Sequence, residues 1–140
     1  MTNIKLAETD EEIVRCFAVM HQLRDHLMAE NFLAQIRRMQ SEGYHLAYLE
    51  DAGEVKALGG FRIFEMLARG RFMYVDDLVT DAADRSKGYG DAMLDWLADY
   101  AKTHDCEYLN LDSGVHRFGA HRFYLRKRMD IVCHHFSLKL

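Results

Sequence analysis

One stretch near the middle of the chain constrains the fold more than any other: a strand pattern leads through a short glycine-containing link into a helix pattern. Phe72-Met73-Tyr74-Val75-Asp76-Asp77-Leu78-Val79-Thr80 is rich in aromatic and β-branched residues and reads as a strand. From Tyr89, the residues Tyr89, Met93, Leu94, Trp96, Leu97 and Tyr100 form one apolar face at helical spacing. A helix with such a face must bury it, and the strand beside it implies a sheet to bury it against. Between them lies Arg85-Ser86-Lys87-Gly88-Tyr89-Gly90. A helix start leaves its first N–H groups unpaired and carries a partial positive charge. Two glycines let the backbone approach a ligand closely, and Arg85 and Lys87 add positive charge at the same place. That combination suits a phosphate or pyrophosphate; the plain alternative is a glycine-containing turn with solvated basic residues.

Proline is absent, so glycines and charge clusters punctuate the remainder. Ile4-Lys5-Leu6 is a short strand candidate. Thr9 and Glu12 have the spacing of a capping box, and Ile13, Cys16, Phe17 and Met20 continue at helical spacing, which predicts one helix from Asp10 to Met20. Phe32, Ile36 and Met39 mark a second helix that stops before Gly43. Tyr44 to Glu50, the turn Asp51-Ala52-Gly53 and Val55 to Met66 read as a hairpin, with Arg69-Gly70 as the next turn. A strand at Tyr108 to Leu111, a helix from Gly119 to Lys127 and a last strand from Ile131 to Leu138 follow. The order β-α-α-β-β-β-α-β-α-β predicts an α+β or α/β sheet with helices packed on it, in a single domain over residues 1–140.

At 140 residues the chain can bury roughly two-thirds of the surface that it exposes when unfolded. Its 22 acidic against 18 basic residues, net charge -4, lack the basic footprint of a nucleic-acid or anionic-membrane binder. No apolar run approaches a membrane span, and Met1 to Lys5 lacks a secretory pattern. A cytoplasmic protein without nucleic-acid or membrane partners is expected. Cys16, Cys106 and Cys133 are odd in number and have no C-x-x-C spacing, so they read as reduced core thiols. Adjacent strand residues point to opposite faces, so Cys133 and His134 do not share a metal, and none is expected. His134, among Val132, Phe136 and Leu138, reads as a core histidine. His116 and His121, five apart, read as surface or loop-packing residues.

A P-loop would need G-x-x-x-x-G-K followed by Ser or Thr, which is absent. A dinucleotide site would need a third Gly or Ala where Met93 stands and its first glycine directly after the strand, whereas Asp81 to Lys87 intervene. Asp112 alone imitates that fold's ribose-binding acid, so a nucleotide-binding oxidoreductase is the weaker rival.

Leu78 to Gly90 instead resembles motif A of the GNAT superfamily of N-acetyltransferases: a strand end, about four linking residues, then Arg or Gln, two residues, Gly, one residue, Gly or Ala. Ala120-His121-Arg122-Phe123-Tyr124 is similar to the family's segment of Ala, two residues, Leu or Phe, and Tyr. The element order agrees across nearly the whole chain. The resemblance implies a mixed, mostly antiparallel sheet of six or seven strands flanked by about four helices. It implies that Leu78, Val79 and Thr80 meet the pantetheine arm of acetyl-CoA, that the N–H groups of Arg85, Ser86, Lys87, Gly88, Tyr89 and Gly90 cradle its pyrophosphate, and that Lys87 touches a phosphate. Asn110, Asp112 and Ser113 would lie at the edge of the gap that the pantetheine enters, in no assigned role. Tyr124 corresponds to the tyrosine that faces the thioester sulfur. A phenol, with a reference pKa of about 10, stays protonated at neutral pH and can donate to that sulfur.

The family's Glu or His on the motif A strand corresponds here to Tyr74 and Asp76. By alternation these two share a face with Leu78, with Asp77 turned to the other. Asp76 is therefore the candidate base or proton relay, with a guiding charge or an arginine partner as the alternative. Arg24, after the first helix, and Arg62, on the third strand, are candidates to hold a substrate carboxylate or else ordinary ion-pair partners. The chain departs from the family pattern at Arg117, where Asn is common, and at Arg128-Met129, where Gly-Phe is common. The first departure puts one cofactor contact in doubt; the second falls in a turn. The expected activity is transfer of an acetyl group from acetyl-CoA to a primary amine of a small molecule, peptide or protein. No cysteine stands in a motif position to act as a relay, so transfer is direct within a ternary complex. The alternative is a non-catalytic acyl-CoA-binding or sensing module on the same fold. An exposed final strand would support a homodimer.

Overall fold

A computed structural model describes residues 2–140. Its first strand, β1 (Thr2–Leu6), is followed by three helices, α1 (Asp10–Arg15), α2 (Phe17–Leu23) and α3 (Ala29–Ser41). The helix expected from Asp10 to Met20 is two, because the Cys16 N–H bonds to the Ile13 carbonyl three residues back and breaks the regular ladder. The capping box is present: Glu12 N–H donates to Thr9 Oγ1 at 3.2 Å and Thr9 N–H to Glu12 Oε1 at 2.9 Å. Gly43, at φ +100°, ends the α3 layer and turns the chain into the sheet.

Three long strands follow: β2 (Tyr44–Asp51), β3 (Glu54–Met66) and β4 (Gly70–Thr80). Ala52 and Gly53, at φ 53° and 80°, make the two-residue reversal between β2 and β3. A 3-10 turn (Ala82–Asp84), α4 (Tyr89–Thr103), β5 (Tyr108–Leu111) and α5 (Phe118–Arg126) complete the elements. The sheet runs in order β1-β2-β3-β4-β5, and the first three pairings are antiparallel. This α+β architecture is the one expected, with five strands instead of six or seven. The missing strand is the last: residues 129–140 form no helix or strand, and His134 and Cys133 are exposed there instead of lying in a core. Cys106 is half-buried, so only Cys16 is a core thiol.

Packing divides the chain into two compact units, Met1–Asn110 and Leu111–Leu140. In the first, one sheet face carries Tyr44, Leu46, Tyr48 and Leu58 against Ile13, Cys16, Val19, Met20, Phe32 and Ile36 of the first three helices. The other face receives α4. It approaches so closely at Gly59 that a Cβ there would meet Met93 and Leu97 at 3.0 Å, which is why a glycine stands in mid-strand.

The register slips twice. Leu49 pairs with Ala57 but Glu50 with Val55, leaving Lys56 as the extra residue of β3; Gly60 pairs with Asp77 but Phe61 with Val75, leaving Asp76 as the extra residue of β4. The second bulge corrects the alternation expected for β4. Asp76 and Asp77 both serve the face that carries Tyr44 and Arg62, whereas Leu78, paired with Gly59, belongs to the α4 face.

In the second unit, α5 ends in a Schellman motif: Met129 N–H reaches the Tyr124 carbonyl and Arg128 N–H the Leu125 carbonyl. Arg128 occupies the left-handed position at φ +66°, where the resembling family commonly has glycine.

Candidate functional site

The loop into α4 is built as an open row of donors. Ser86 and Gly88 adopt left-handed φ values of 70° and 84°, which turns the chain sharply into the first helical turn. The backbone N–H groups of residues 85–88 donate to no protein acceptor among the described residues, and those of the first turn of α4 are free by construction. No atom lies within 4 Å of the Cβ that Gly88 lacks, so this edge of the loop is open. Arg85 is exposed and makes no hydrogen bond or ion pair with the described residues.

What holds the loop is a carboxylate beneath it. Asp84, buried, accepts from Lys56 Nζ and Lys87 Nζ, each at 2.8 Å. Lys56 reaches it because the β3 bulge frees that residue from the ladder, and the Lys56 carbonyl takes the Asp81 N–H at 2.8 Å. Lys56 and then Lys87 hold the Asp84 carboxyl below its ordinary range; Asp84 in turn raises both ammonium groups. Lys87 is therefore tied at its tip, although its side chain is largely exposed. On the other side, the ring of Tyr89 is buried and its hydroxyl donates to Asp51 Oδ2 at 2.6 Å, pinning the start of α4 to the β2–β3 turn.

Leu78, Val79 and Thr80 lie at the end of β4 that feeds this loop, paired with Gly59, Leu58 and Ala57 on one side. On the other side, β5 begins level with Arg71, where Glu107 N–H donates to the Arg71 carbonyl at 2.8 Å. At four residues, β5 is too short to follow β4 as far as Leu78.

A charged cluster surrounds the β4 bulge. Arg62 Nε donates to both Asp76 oxygens, at 3.2 and 2.9 Å, and its guanidinium carbon lies 5.5 Å from the centroid of the Tyr44 ring. Arg24 donates from Nε to Asp77 Oδ1 and from Nη2 to the Asp76 carbonyl, both at 2.9 Å. Tyr44 Oη donates to Asp77 Oδ2 at 2.8 Å. The Tyr44 ring crosses β3 where a Cβ on Gly60 would meet its hydroxyl at 1.9 Å, so only glycine fits there. Burial raises the Asp76 carboxyl above its ordinary range despite the opposing pull of Arg62, and burial followed by Asp77 pushes the Tyr44 phenol well up. The structure thus brings together Arg24, Arg62, Tyr74 (opposite Arg62) and Asp76, and pairs both arginines with aspartates. Tyr44, Asp84 and Lys56 had no expected role at the site, and Asp77 was expected on the opposite face. Tyr44 and Asp77 became partners through a register slip that no residue pattern announces.

In the second unit, Tyr124 is half-buried on α5 and burial raises its phenol, with Arg117 opposing. His121 Nε2 lies 2.8 Å from the Gly114 carbonyl and His135 Nδ1 2.8 Å from Asp112 Oδ2, which are loop-packing contacts. The hydroxyl of Ser113 is buried without a hydrogen-bond partner among the described residues. Among the described residues no group of three or more His, Cys, Asp or Glu is placed to hold a metal, and no helix is long and apolar enough to cross a membrane.

Comparison with known proteins agrees with this architecture. The family model described as the acetyltransferase (GNAT) family matches residues 6–129. The chain is 34% identical over 128 residues to an uncharacterized N-acetyltransferase, YhdJ, of Bacillus subtilis (strain 168), covering 91% of this chain and 90% of that one. Among solved structures, a GNAT family acetyltransferase of Staphylococcus aureus aligns with a TM-score of 0.84 at 17% identity, over 99% of this chain and 98% of its own. The aminoglycoside N-acetyltransferase AAC(6')-Iy, solved in complex with CoA, aligns with a TM-score of 0.87 at 9% identity, over 100% and 95%.

Proposed function

The chain belongs to the acetyltransferase (GNAT) family and is an acyltransferase; from that premise we propose that it moves an acetyl group from acetyl-CoA to a primary amine by direct transfer in a ternary complex. The observation that carries this reading is the open row of N–H donors from Arg85 to Gly90, set at a helix start one 3-10 turn beyond the end of β4. A diphosphate has the charge and the acceptor atoms that such a row lacks. Arg85 supplies an unengaged cation there, and Lys87 lies in the same loop. The pantetheine then runs back along Leu78, Val79 and Thr80, and the thioester arrives at the bulge.

The acceptor meets it from the face of Tyr74, Asp76, Arg24 and Arg62. A lysine-like amine has a reference pKa of about 10.4 and must lose a proton before it attacks. Asp76, whose carboxyl is raised by burial, takes that proton through water. The C–N bond forms first, to a tetrahedral oxyanion held by backbone N–H groups at the strand opening; as the C–S bond then breaks, the departing sulfur takes the phenolic proton of Tyr124, and the second proton that the nitrogen sheds in becoming an amide restores the phenol. A phenol is protonated at neutral pH, as a general acid must be, and burial raises this one further.

Replacing Tyr124 with Phe tests the scheme. Thiol release from acetyl-CoA with an amine panel should fall about 100-fold or more, while calorimetry shows the affinity for CoA retained. Unchanged turnover removes Tyr124 from the chemistry. CoA binding with no turnover of any amine by the unaltered chain favours an acyl-CoA-binding module.

A further inference from the structure

We infer that the acceptor carries an anionic group, a carboxylate or a phosphate monoester, beside its amine, and that Arg62 grips this group with the end of its guanidinium. The inference deepens the acyl-transfer reading and rests on it.

A guanidinium offers five N–H donors, and the two terminal nitrogens together form a flat fork that matches two oxygens of a carboxylate or phosphate. Arg62 spends only Nε, on Asp76. Neither Nη1 nor Nη2 makes a hydrogen bond among the described residues. The group is also held in place: Asp76 fixes it from one side and the buried Tyr44 ring supports it from below. Its side chain is 32% exposed, so the fork can be reached. A fork so oriented and left unfilled is pre-organised for an anion and gives up little side-chain freedom on binding one.

The neighbouring charges narrow the choice further. Arg24 is spent on Asp77 and on the Asp76 carbonyl, which makes it a clamp on the bulge rather than a second anion holder. Asp76 and Asp77 each already accept from an arginine, so charge is balanced within the cluster, and unfilled hydrogen-bonding groups decide what it takes. What remains is one carboxylate beside the amine and one open cationic fork next to it, the complement of a zwitterion.

Matched amines test this: glycine against glycinamide, L-lysine against L-lysinamide, and O-phosphoethanolamine against ethanolamine, each with acetyl-CoA and a thiol-release readout. The expected result is a preference of about 10-fold or more in kcat/KM for the anionic member of at least one pair. The pair that shows it tells carboxylate from phosphate. Arg62→Leu should lower kcat/KM for the anionic members about 10- to 100-fold more than for the neutral ones, and Arg62→Lys, which keeps the charge without the fork, should fall between. Equal rates within every pair for the unaltered enzyme overturn the inference without any variant, as does an Arg62→Leu loss that is the same for both members. Failure to turn over any amine, in a protein that binds acetyl-CoA by calorimetry, overturns the acyl-transfer reading and this inference with it.

Discussion

Glu12 joins three elements through one carboxylate. Oε1 accepts the Thr9 and Glu8 N–H groups at the start of α1, while Oε2 takes the Tyr48 hydroxyl from β2 at 2.8 Å and faces Lys5 of β1 at 2.7 Å. Lys5 first, and then the Thr9 N–H, hold its carboxyl far below the ordinary value. The folded state therefore prefers the carboxylate. The stability this contributes is complete above the unfolded value near 4.5 and is lost progressively as the pH falls toward the folded-state value. Glu12→Gln should cost about 1 kcal/mol at pH 7 and should flatten the fall in Tm below pH 5 in a thermal-melt series. An acid limb as steep as that of the parent would assign the dependence to other carboxylates. Half of this residue's role was legible: the Thr9–Glu12 spacing announces the cap, but its ties to Lys5 and Tyr48 depend on strand pairing, which spacing does not encode.

The same division between local and non-local information governs the elements. Strand and helix positions followed from periodicity because each pattern is carried by its own residues, as in α4, whose apolar face sits on the sheet as expected. The breaks did not follow. Ile13, Cys16, Phe17 and Met20 keep their spacing across two helices, and Asp76 becomes the extra residue of β4 through the pairing of β3. The run of Val132, His134, Phe136 and Leu138 alternates correctly for a strand, yet residues 129–140 form none; alternation supplies faces, and only pairing supplies a strand. The candidate site divides likewise: the donor loop was legible as a contiguous motif, while the clamp of Arg24, Asp77 and Tyr44 joins three distant segments. Turn chemistry gives this scale its own test. Ala52 sits at φ 53° ahead of Gly53, a position that asparagine tolerates better than alanine. Ala52→Asn should stabilise the hairpin by about 0.5–1 kcal/mol and raise Tm by roughly 2–5 °C. A lowered Tm would show that the Asp51–Tyr89 contact, one residue away, tolerates no change in that turn.

At the scale of the whole molecule, Cys16 reports on the cohesion of the larger unit. It lies where α1 gives way to α2, is fully buried against the sheet, and lends its Sγ–H to the Glu12 carbonyl at 3.2 Å. Burial pushes its thiol up to about 12, the weaker pull of Arg15 notwithstanding. Only the thiolate attacks an alkylating reagent, so in the native protein at pH 8 this thiol is both shielded and almost wholly protonated. Its modification then requires an opening that frees the helical layer from β2 and β3. If that layer and the sheet form one cooperative body, labelling of Cys16 by iodoacetamide, followed by peptide mass analysis along a urea series, should coincide with the loss of far-UV circular dichroism. Labelling well before that transition would mean that α1 and α2 open separately. Arg24, just beyond α2, would then swing away from the β4 bulge with them, and the acceptor face would be a moving wall in place of a fixed one.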